Sequence, residues 1–202
     1  MSKYTDIIIN INKEDYRLSK EKFKMKKAVF IPGVGIDTNI FSPTTESGKE
    51  ELRNEFSIEP NERVIIMVGE LNDNKNQVTI IKAMKFLLEK NQNYRLLLVG
   101  DGPNRVLYEK IINQENLSDK VTLLGFRSDV DKLMKASDIL VSASKREGLP
   151  VNVMEGMSVG LPVVVSSIRG NIDLVNNGLN GYVVENNEPA LFANKIHTIF
   201  EH

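Results

Sequence analysis

Short runs of Val, Ile and Leu without polar alternation recur along this chain, and longer amphipathic stretches separate them. The runs occur at 6–11, 28–31, 64–69, 94–100, 120–125, 139–143, 162–166 and 181–184. Continuous apolar runs are typical of strands buried on both faces of a parallel sheet, and the intervening segments are long enough for crossover helices. The pattern predicts an α/β fold with a doubly wound, Rossmann-like parallel sheet over about residues 61–200.

Composition excludes several classes of site. The 202 residues contain no cysteine, and histidine occurs only at His197 and His202. Cysteine-rich zinc sites, disulfide scaffolds, cysteine nucleophiles and an internal Ser-His-Asp triad are therefore excluded. Lys and Arg number 26 against 27 Asp and Glu, so bulk charge gives no indication of a nucleic-acid partner. Carboxylates, cations and backbone amides remain to carry the chemistry.

The lengths of the apolar runs and the composition of the N-terminus bear on cellular location. The apolar runs are too short to cross a bilayer, and the N-terminus has no hydrophobic stretch of the secretory type. We therefore expect a cytoplasmic protein. Residues 13–27 carry seven Lys or Arg against three acids, a pattern that favours a solvated helix face over a membrane-surface patch.

Helix-start residues follow several of the apolar runs. Helices are predicted at 75–90, 103–115, 130–136 and 151–159. Asn74 is interpreted as the N-cap of the first helix, and Pro150 occupies a first-turn position of the last.

The N-terminal segment is too small to form a domain. One strand and one helix, at 6–24, cannot bury their own faces without a sheet to join. We therefore predict three parts: a remnant of a preceding domain at 1–27, a linker leading into a second domain at 28–60, and the sheet domain at 61–202. Within the linker, residues 32–47 contain two Gly and two Pro and show no periodicity, which is typical of a loop.

Two glutamates mark the most informative stretch, residues 144–167. Glu147 follows the apolar run at 139–143, and Glu155 lies eight residues later in the predicted helix. Both carboxylates can border the crevice at the carboxyl edge of the sheet, where open α/β sheets bind ligands. Free backbone N–H groups at the helix start, near Val151 and Asn152, form a site suited to a phosphate.

The same two carboxylates would repel a phosphate. Two unit charges 4 Å apart interact by about 4 kcal/mol at an effective dielectric constant near 20. The glutamate side chains are therefore expected to face hydroxyl groups, and the hydroxyls of a ribose or a hexose are natural hydrogen-bond donors to them.

These residues resemble the retaining, nucleotide-sugar-dependent glycosyltransferases of family 4, whose GT-B architecture consists of two facing Rossmann-like domains. REGLPVNVMEGMSVGLPVVVSS is similar to that family's Glu-x7-Glu signature. Other segments follow in the family's order: IPGVGIDTNIFSP, VGELNDNKNQVTIIKAM, LLLVGDGPNR and VTLLGFRSDVDKLMKASDILVSAS. The resemblance covers about residues 29–200, places them in the C-terminal, nucleotide-sugar-binding domain, and is closest to bacterial capsule or exopolysaccharide transferases.

The resemblance assigns roles to individual residues. Glu155 is similar to the glutamate that holds the nucleotide ribose, and Glu147 to the one that orients the donor sugar. Lys75, expected on the helix after the first strand of the sheet domain, matches the lysine that neutralises the diphosphate. The loop beside the base is matched by Gly125, Phe126 and Arg127, and the turn that meets the phosphates by Leu149, Pro150 and Val151.

One position departs from the family pattern. Many members carry arginine where this chain has Glu70, and a glutamate cannot clamp a leaving diphosphate. The hypothesis is that Lys75 carries most of the charge, helped by the helix start near 151 and by Arg127 or Arg169. Glu70 is then expected to turn toward hydroxyls or toward a basic group of the missing domain.

The resemblance implies transfer of a hexose from a nucleotide-diphosphate sugar to an acceptor hydroxyl with retention at the anomeric carbon. Uridine diphosphate is the expected carrier, and no cofactor or metal is expected, because the resemblance implies a metal-independent reaction in this fold. A polysaccharide or lipid-linked sugar acceptor would bind the missing N-terminal domain, with peripheral membrane association of the longer protein at the inner face of the membrane. We expect the chain alone to bind donor weakly and to transfer little.

Two rival functions, and a role as a non-catalytic nucleotide-binding module, stay open at this stage. A nucleotide-sugar epimerase has a similar two-domain architecture. A dinucleotide-binding oxidoreductase would use Gly100-Asp101-Gly102-Pro103 after a strand, but Arg105 stands where the dinucleotide fingerprint has its third glycine. A tight turn is the favoured interpretation of that segment.

Overall fold

The computed structural model describes residues 4–201. In chain order the elements are β1 (Thr5–Asn10), α1 (Lys13–Lys22), β2 (Met25–Phe30), α2 (Glu46–Glu55), β3 (Arg63–Val68), α3 (Gln77–Lys90), β4 (Tyr94–Val99), α4 (Arg105–Gln114), β5 (Val121–Gly125), α5 (Val130–Ala136), β6 (Ile139–Ser142), α6 (Val151–Ser158), β7 (Val163–Ser166), α7 (Asn171–Leu174), β8 (Gly181–Val184) and α8 (Pro189–Glu201). Each predicted apolar run overlaps a strand. Residues 1–3 and His202, which fall within the predicted domain limits, lie outside the described residues.

Six of the strands form one parallel sheet in the order β5-β4-β3-β6-β7-β8. Successive side chains of a strand point to opposite faces, so each strand contributes to two apolar layers. Ile65 and Met67 pack in the layer that contains α3 and α8, whereas Val64 and Ile66 pack in the layer that contains α5 and α6. The predicted doubly wound parallel sheet is confirmed, and the strand order reverses between β3 and β6.

The N-terminal segment forms a separate small unit. β1 and β2 pair in parallel as a two-stranded sheet, and α1 connects them. Ile7 and Ile9 of β1 are more than half exposed. The border predicted between residues 27 and 28 falls inside β2, because only the second half of that strand is apolar. The division into domains stays a prediction.

Helix α2 lies in the segment that the sequence indicated as a linker. Thr45 caps it, its side-chain oxygen accepting a hydrogen bond from the backbone N–H of Gly48 at 3.1 Å. The helix packs against α5 and lies beside the first half of the sheet. Its apolar face consists of Leu52 and the C-capping residue Phe56 in a charged stretch. Two apolar residues are too few for a helical period, so the sequence did not predict this helix.

Candidate functional site

The candidate site lies at the carboxyl ends of β3 and β6, where the strand order reverses. Two loops meet there, one after each strand. The Asn74 amide donates to the Arg146 carbonyl at 3.0 Å, and the Lys145 backbone N–H donates to the Asn74 carbonyl at 2.8 Å. The Asn76 amide donates to the Ala143 carbonyl at 3.2 Å. These bonds tie the loops together, so their side chains hold fixed relative positions.

The predicted start of the helix after β3 is wrong by two residues. Helix α3 begins at Gln77, and Asn76 before it has φ of 57°, a left-handed conformation that an α-helix does not continue through. Asn74 does not cap the helix, because its side chain bonds across to Arg146. Lys75 therefore lies in the turn before α3, where its backbone N–H donates to Asn72 Oδ1 at 2.8 Å.

Lys75 and Glu147 form an ion pair across the point of reversal. Lys75 Nζ lies 2.7 Å from Glu147 Oε1, and the two side chains are 21% and 14% exposed. The aliphatic part of Lys75 packs over Gly69, where an added Cβ would lie 3.2 Å from Lys75 Cε. The structure thus brings together two of the residues that the resemblance assigned to the diphosphate and the donor sugar.

Helix α6 is held close over the ends of the same two strands. The Asn152 amide donates to the carbonyl of Val68, the last residue of β3, at 2.7 Å. Gly156 lies so near β6 that an added Cβ would come within 2.6 Å of the Leu140 side chain. Within residues 4–201, no hydrogen bond is made by the backbone N–H groups of Val151 and Asn152, as the sequence predicted for an anion site.

Glu155 follows Asn152 by one turn of α6. Its carboxylate is partly buried, and no hydrogen bond or ion pair within the described part of the chain engages it. Burial raises the pKa of Glu155 above its ordinary value, because the charged form loses hydration. A partly dehydrated carboxylate without a partner is suited to accept hydrogen bonds from ligand hydroxyls.

The variant Glu155→Gln is expected to be more stable than the wild type at neutral pH when no ligand is bound. Because the folded-state pKa of Glu155 is raised, the folded state binds more protons than the unfolded state between the two pKa values, and stability falls as pH rises through that window. Glutamine does not ionise, so the variant avoids the free-energy cost of a charged carboxylate in a partly buried position. Urea unfolding of both proteins at several pH values between about 4 and 8 measures the difference in their free energies of unfolding. A stability difference that does not change with pH would contradict the assignment.

The turn at 148–151 is held by the N-terminal unit and by the loop after β2. The Asn12 amide donates to the Gly148 carbonyl at 3.1 Å. The Leu149 side chain packs against Gly33, where an added Cβ would lie 2.6 Å from Leu149 Cδ2. Pro150 is buried and Val151 is exposed. Of this turn, Val151 is therefore open to a ligand.

The loop after β5 presents one exposed ring and one engaged arginine. Phe126 is 85% exposed. Arg127 donates to both carboxylate oxygens of Asp129, at 2.8 and 2.5 Å, and its guanidinium lies 5.7 Å from the centre of the Phe56 ring. The other arginine considered for the phosphate, Arg169, is paired with Asp15. Lys75 is therefore the cation that the structure places beside Glu147.

Glu70 turns toward the end of the neighbouring strand β4. Its Oε2 accepts from the Asn72 amide at 2.7 Å, and its Cγ lies 3.0 Å from the position of an added Cβ at Gly102. Sequence reasoning missed the side chains of Asn72 and Asn152, which bond to the backbone or to a charged group at this edge. The polar run after β3 was a usable signal for Asn72, whereas Asn152 resembles any polar residue of a helix start.

Residues 4–201 lack two further kinds of feature. No group of three or more His, Asp and Glu is placed to hold a metal ion. No helix in that range is both long and apolar enough to cross a membrane.

A parallel sheet in this strand order, with helices on both faces, defines a Rossmann-type α/β domain, and the paired charges and a helix start lie at its point of reversal. Residues 48–202 match the model of a family described as Glycosyl transferases group 1, and the chain belongs to this family. The resemblance inferred from the sequence is thereby confirmed.

Two curated relatives cover nearly all of this chain. The putative glycosyltransferase EpsD of Bacillus subtilis is 32% identical over 201 residues, which make up 99% of this chain and 53% of EpsD. The UDP-Gal:alpha-D-GlcNAc-diphosphoundecaprenol alpha-1,3-galactosyltransferase of Escherichia coli is 33% identical over 202 residues, covering 96% of this chain and 51% of that protein. The chain thus spans about half the length of these relatives.

Solved structures show the same fold. Anabaena HepE in complex with UDP has a TM-score of 0.88 and 25% identity, covering 99% of this chain and 55% of that one. The C-terminal domain of LpcC from Francisella tularensis, a glycosyl transferase group 1 family protein, has a TM-score of 0.74 and 22% identity, covering 83% of this chain and 89% of that one.

Proposed function

We propose that this chain is the donor-binding part of a retaining glycosyltransferase that transfers a hexose from a UDP-sugar to an acceptor hydroxyl. The observation that carries the proposal is the Lys75–Glu147 ion pair, 2.7 Å long, at the reversal point of the sheet. Ligands of open α/β sheets bind in the crevice at this point. In this pair, a cation that can bind a phosphate lies beside a carboxylate that can accept hydrogen bonds from sugar hydroxyls.

In this proposal the residues divide the donor between them. Lys75 and the free N–H groups at the start of α6 stabilise the charge that develops on the leaving diphosphate. Glu147 orients the sugar, and Glu155 accepts from the ribose hydroxyls. Glu70, bonded to Asn72, takes no part in clamping the phosphates. The reaction needs no metal ion in this scheme, because a cation and backbone dipoles supply the stabilisation.

The comparisons support this function over the rivals. The family and both curated relatives are named for glycosyl transfer, which does not favour an epimerase or a non-catalytic module. UDP is present in the HepE complex, and the E. coli relative is named for a UDP-Gal donor. That relative's name also contains a diphosphoundecaprenol-linked sugar, which supports a lipid-linked sugar as the acceptor. We propose further that the acceptor binds outside the described residues, at the cytoplasmic face of a membrane.

A thermal-shift panel of nucleoside diphosphates and their sugars tests the proposal. A ligand that binds only the folded state stabilises it by about 1.4 kcal/mol at ten times its dissociation constant, which corresponds to roughly 3–6 °C for a chain of this size. We expect UDP and UDP-hexoses to raise the melting temperature more than the ADP and GDP forms do. If no nucleoside diphosphate raises it at millimolar concentration, the proposed function is wrong.

A further inference from the structure

Arg105 opens α4 but reaches across to the end of β5. Its Nη1 lies 3.6 Å from the position of an added Cβ at Gly125, and no other heavy atom beyond Gly125's chain neighbours lies within 4 Å of that position. The space beside Gly125 is therefore open and bordered by the guanidinium. Phe126, largely exposed, follows directly in the chain.

The Arg105 guanidinium is oriented and still has donors to spare. Its Nε donates to Glu109 Oε1 at 3.0 Å, one helical turn along α4. Its Nη1 is 4.0 Å from Asp101 Oδ1, which is too long for a hydrogen bond. An arginine carries five N–H donors, so its two terminal nitrogens are available to a ligand within the described structure.

The glycines beside Lys75 and Arg105 are spaced to fit one ligand. Three glycines lie side by side at the ends of β3, β4 and β5. An added Cβ at Gly100 would lie 2.2 Å from the Gly69 carbonyl oxygen, and the Gly100 N–H donates to the Gly125 carbonyl at 2.8 Å. Lys75 covers the first glycine and Arg105 borders the third. The first and third glycines are two strand spacings apart, about 10 Å, which is of the order of the span from base to diphosphate in an extended nucleotide.

We propose that Arg105 recognises the nucleobase of the donor by donating hydrogen bonds from its terminal nitrogens to a carbonyl oxygen of uracil. The inference rests on the proposed function and deepens it, since it names a residue that selects the base. Arg127, which the sequence placed beside the base, is instead engaged by Asp129. Adenine has no carbonyl oxygen, so Arg105 favours UDP over ADP.

NMR titration of the 202-residue chain with UDP, ADP and inorganic pyrophosphate tests the inference. Hydrogen bonds from a charged donor are strong enough for Arg105→Ala to weaken UDP binding about tenfold or more. The same variant should bind pyrophosphate as the wild type does, and its preference for UDP over ADP should disappear. Arg105→Lys keeps the charge without the planar fork and should regain only part of the preference. Lys110→Ala, which removes an exposed charge from the same helix, is the matched control.

The outcomes separate this inference from the proposed function. If Arg105→Ala binds UDP as tightly as the wild type, or loses UDP and pyrophosphate binding equally, Arg105 does not select the base and the inference is overturned. In both cases the wild type still binds UDP, so the proposed function stands. If the wild type binds none of the three ligands, both fail. Thermal unfolding of each variant confirms that a loss of binding does not reflect a loss of fold.

Discussion

Replacing Lys75 with alanine is expected to weaken UDP binding at least tenfold. The substitution removes a cation that can bond to the diphosphate, an interaction worth about 1.5–3 kcal/mol. It also leaves the Glu147 carboxylate, 14% exposed, without its partner at 2.7 Å. That carboxylate would then repel the phosphates, so the loss comes from both effects. NMR titration of the chain with UDP gives the two dissociation constants directly.

Two further variants show whether the loss arises at this pair. Lys85→Ala removes one lysine charge from α3, where Lys85 is paired with Glu115 at 2.7 Å and is 52% exposed. This variant should leave UDP affinity unchanged. The double variant Lys75→Ala/Glu147→Gln should bind UDP more tightly than Lys75→Ala alone, since the unpaired charge is gone. Unchanged affinity in Lys75→Ala would show that the lysine does not hold the diphosphate.

The ion pair also explains why the crevice tolerates a glutamate at position 70. Lys75 offsets the charge of Glu147 before any donor binds. Glu70 is turned to Asn72 and to the β4 turn, so its charge does not add to that of Glu147 at the phosphate position. In the proposed function, one cation and the first turn of α6, whose free N–H groups carry the positive end of the helix dipole, therefore take the place of a clamp of two cations.

The fold was predictable because its signal is local and repeated. Strands buried on both faces must be continuously apolar, and each run of that kind overlaps a strand. The position of the two glutamates of residues 144–167 was predictable because a loop and a helix start that follow one strand lie at the carboxyl edge of the sheet; their role as a site stays a prediction. The apolar runs therefore predict the strands, and the order of segments along the chain predicts which loops lie at the carboxyl edge of the sheet.

What the sequence did not predict depends on side-chain contacts that the order of residues does not reveal. The left-handed Asn76 shifts the start of α3, and its amide bonds to Ala143, 67 residues away. The direction of an arginine is set by whichever acid lies near it, so Arg127 turned to Asp129 while Arg105 reached the end of β5. The position of an arginine in a motif does not predict which of these two directions its side chain takes.

Asp138→Ala is expected to destabilise the protein by about 3–5 kcal/mol, because it leaves a buried cation without its counterion. Arg53 is 8% exposed, and its Nη1 lies 3.2 and 3.3 Å from the two carboxylate oxygens of Asp138. Asp138 also accepts from Lys49 Nζ at 2.6 Å and from the backbone N–H of Val64 at 2.7 Å. One carboxylate therefore joins α2 to the beginnings of β3 and β6.

Urea unfolding of Asp138→Ala beside Glu55→Ala measures this effect against a matched control. Glu55 of α2 is paired with Lys132 of α5, but both side chains are 48% exposed, so its loss should cost less than about 1 kcal/mol. Asp138 lies at the edge of the sheet opposite the ion pair of Lys75. UDP should therefore bind the folded Asp138→Ala protein with wild-type affinity at low temperature. Equal unfolding free energies for the two variants would show that the Asp138 carboxylate does not hold α2 on the sheet.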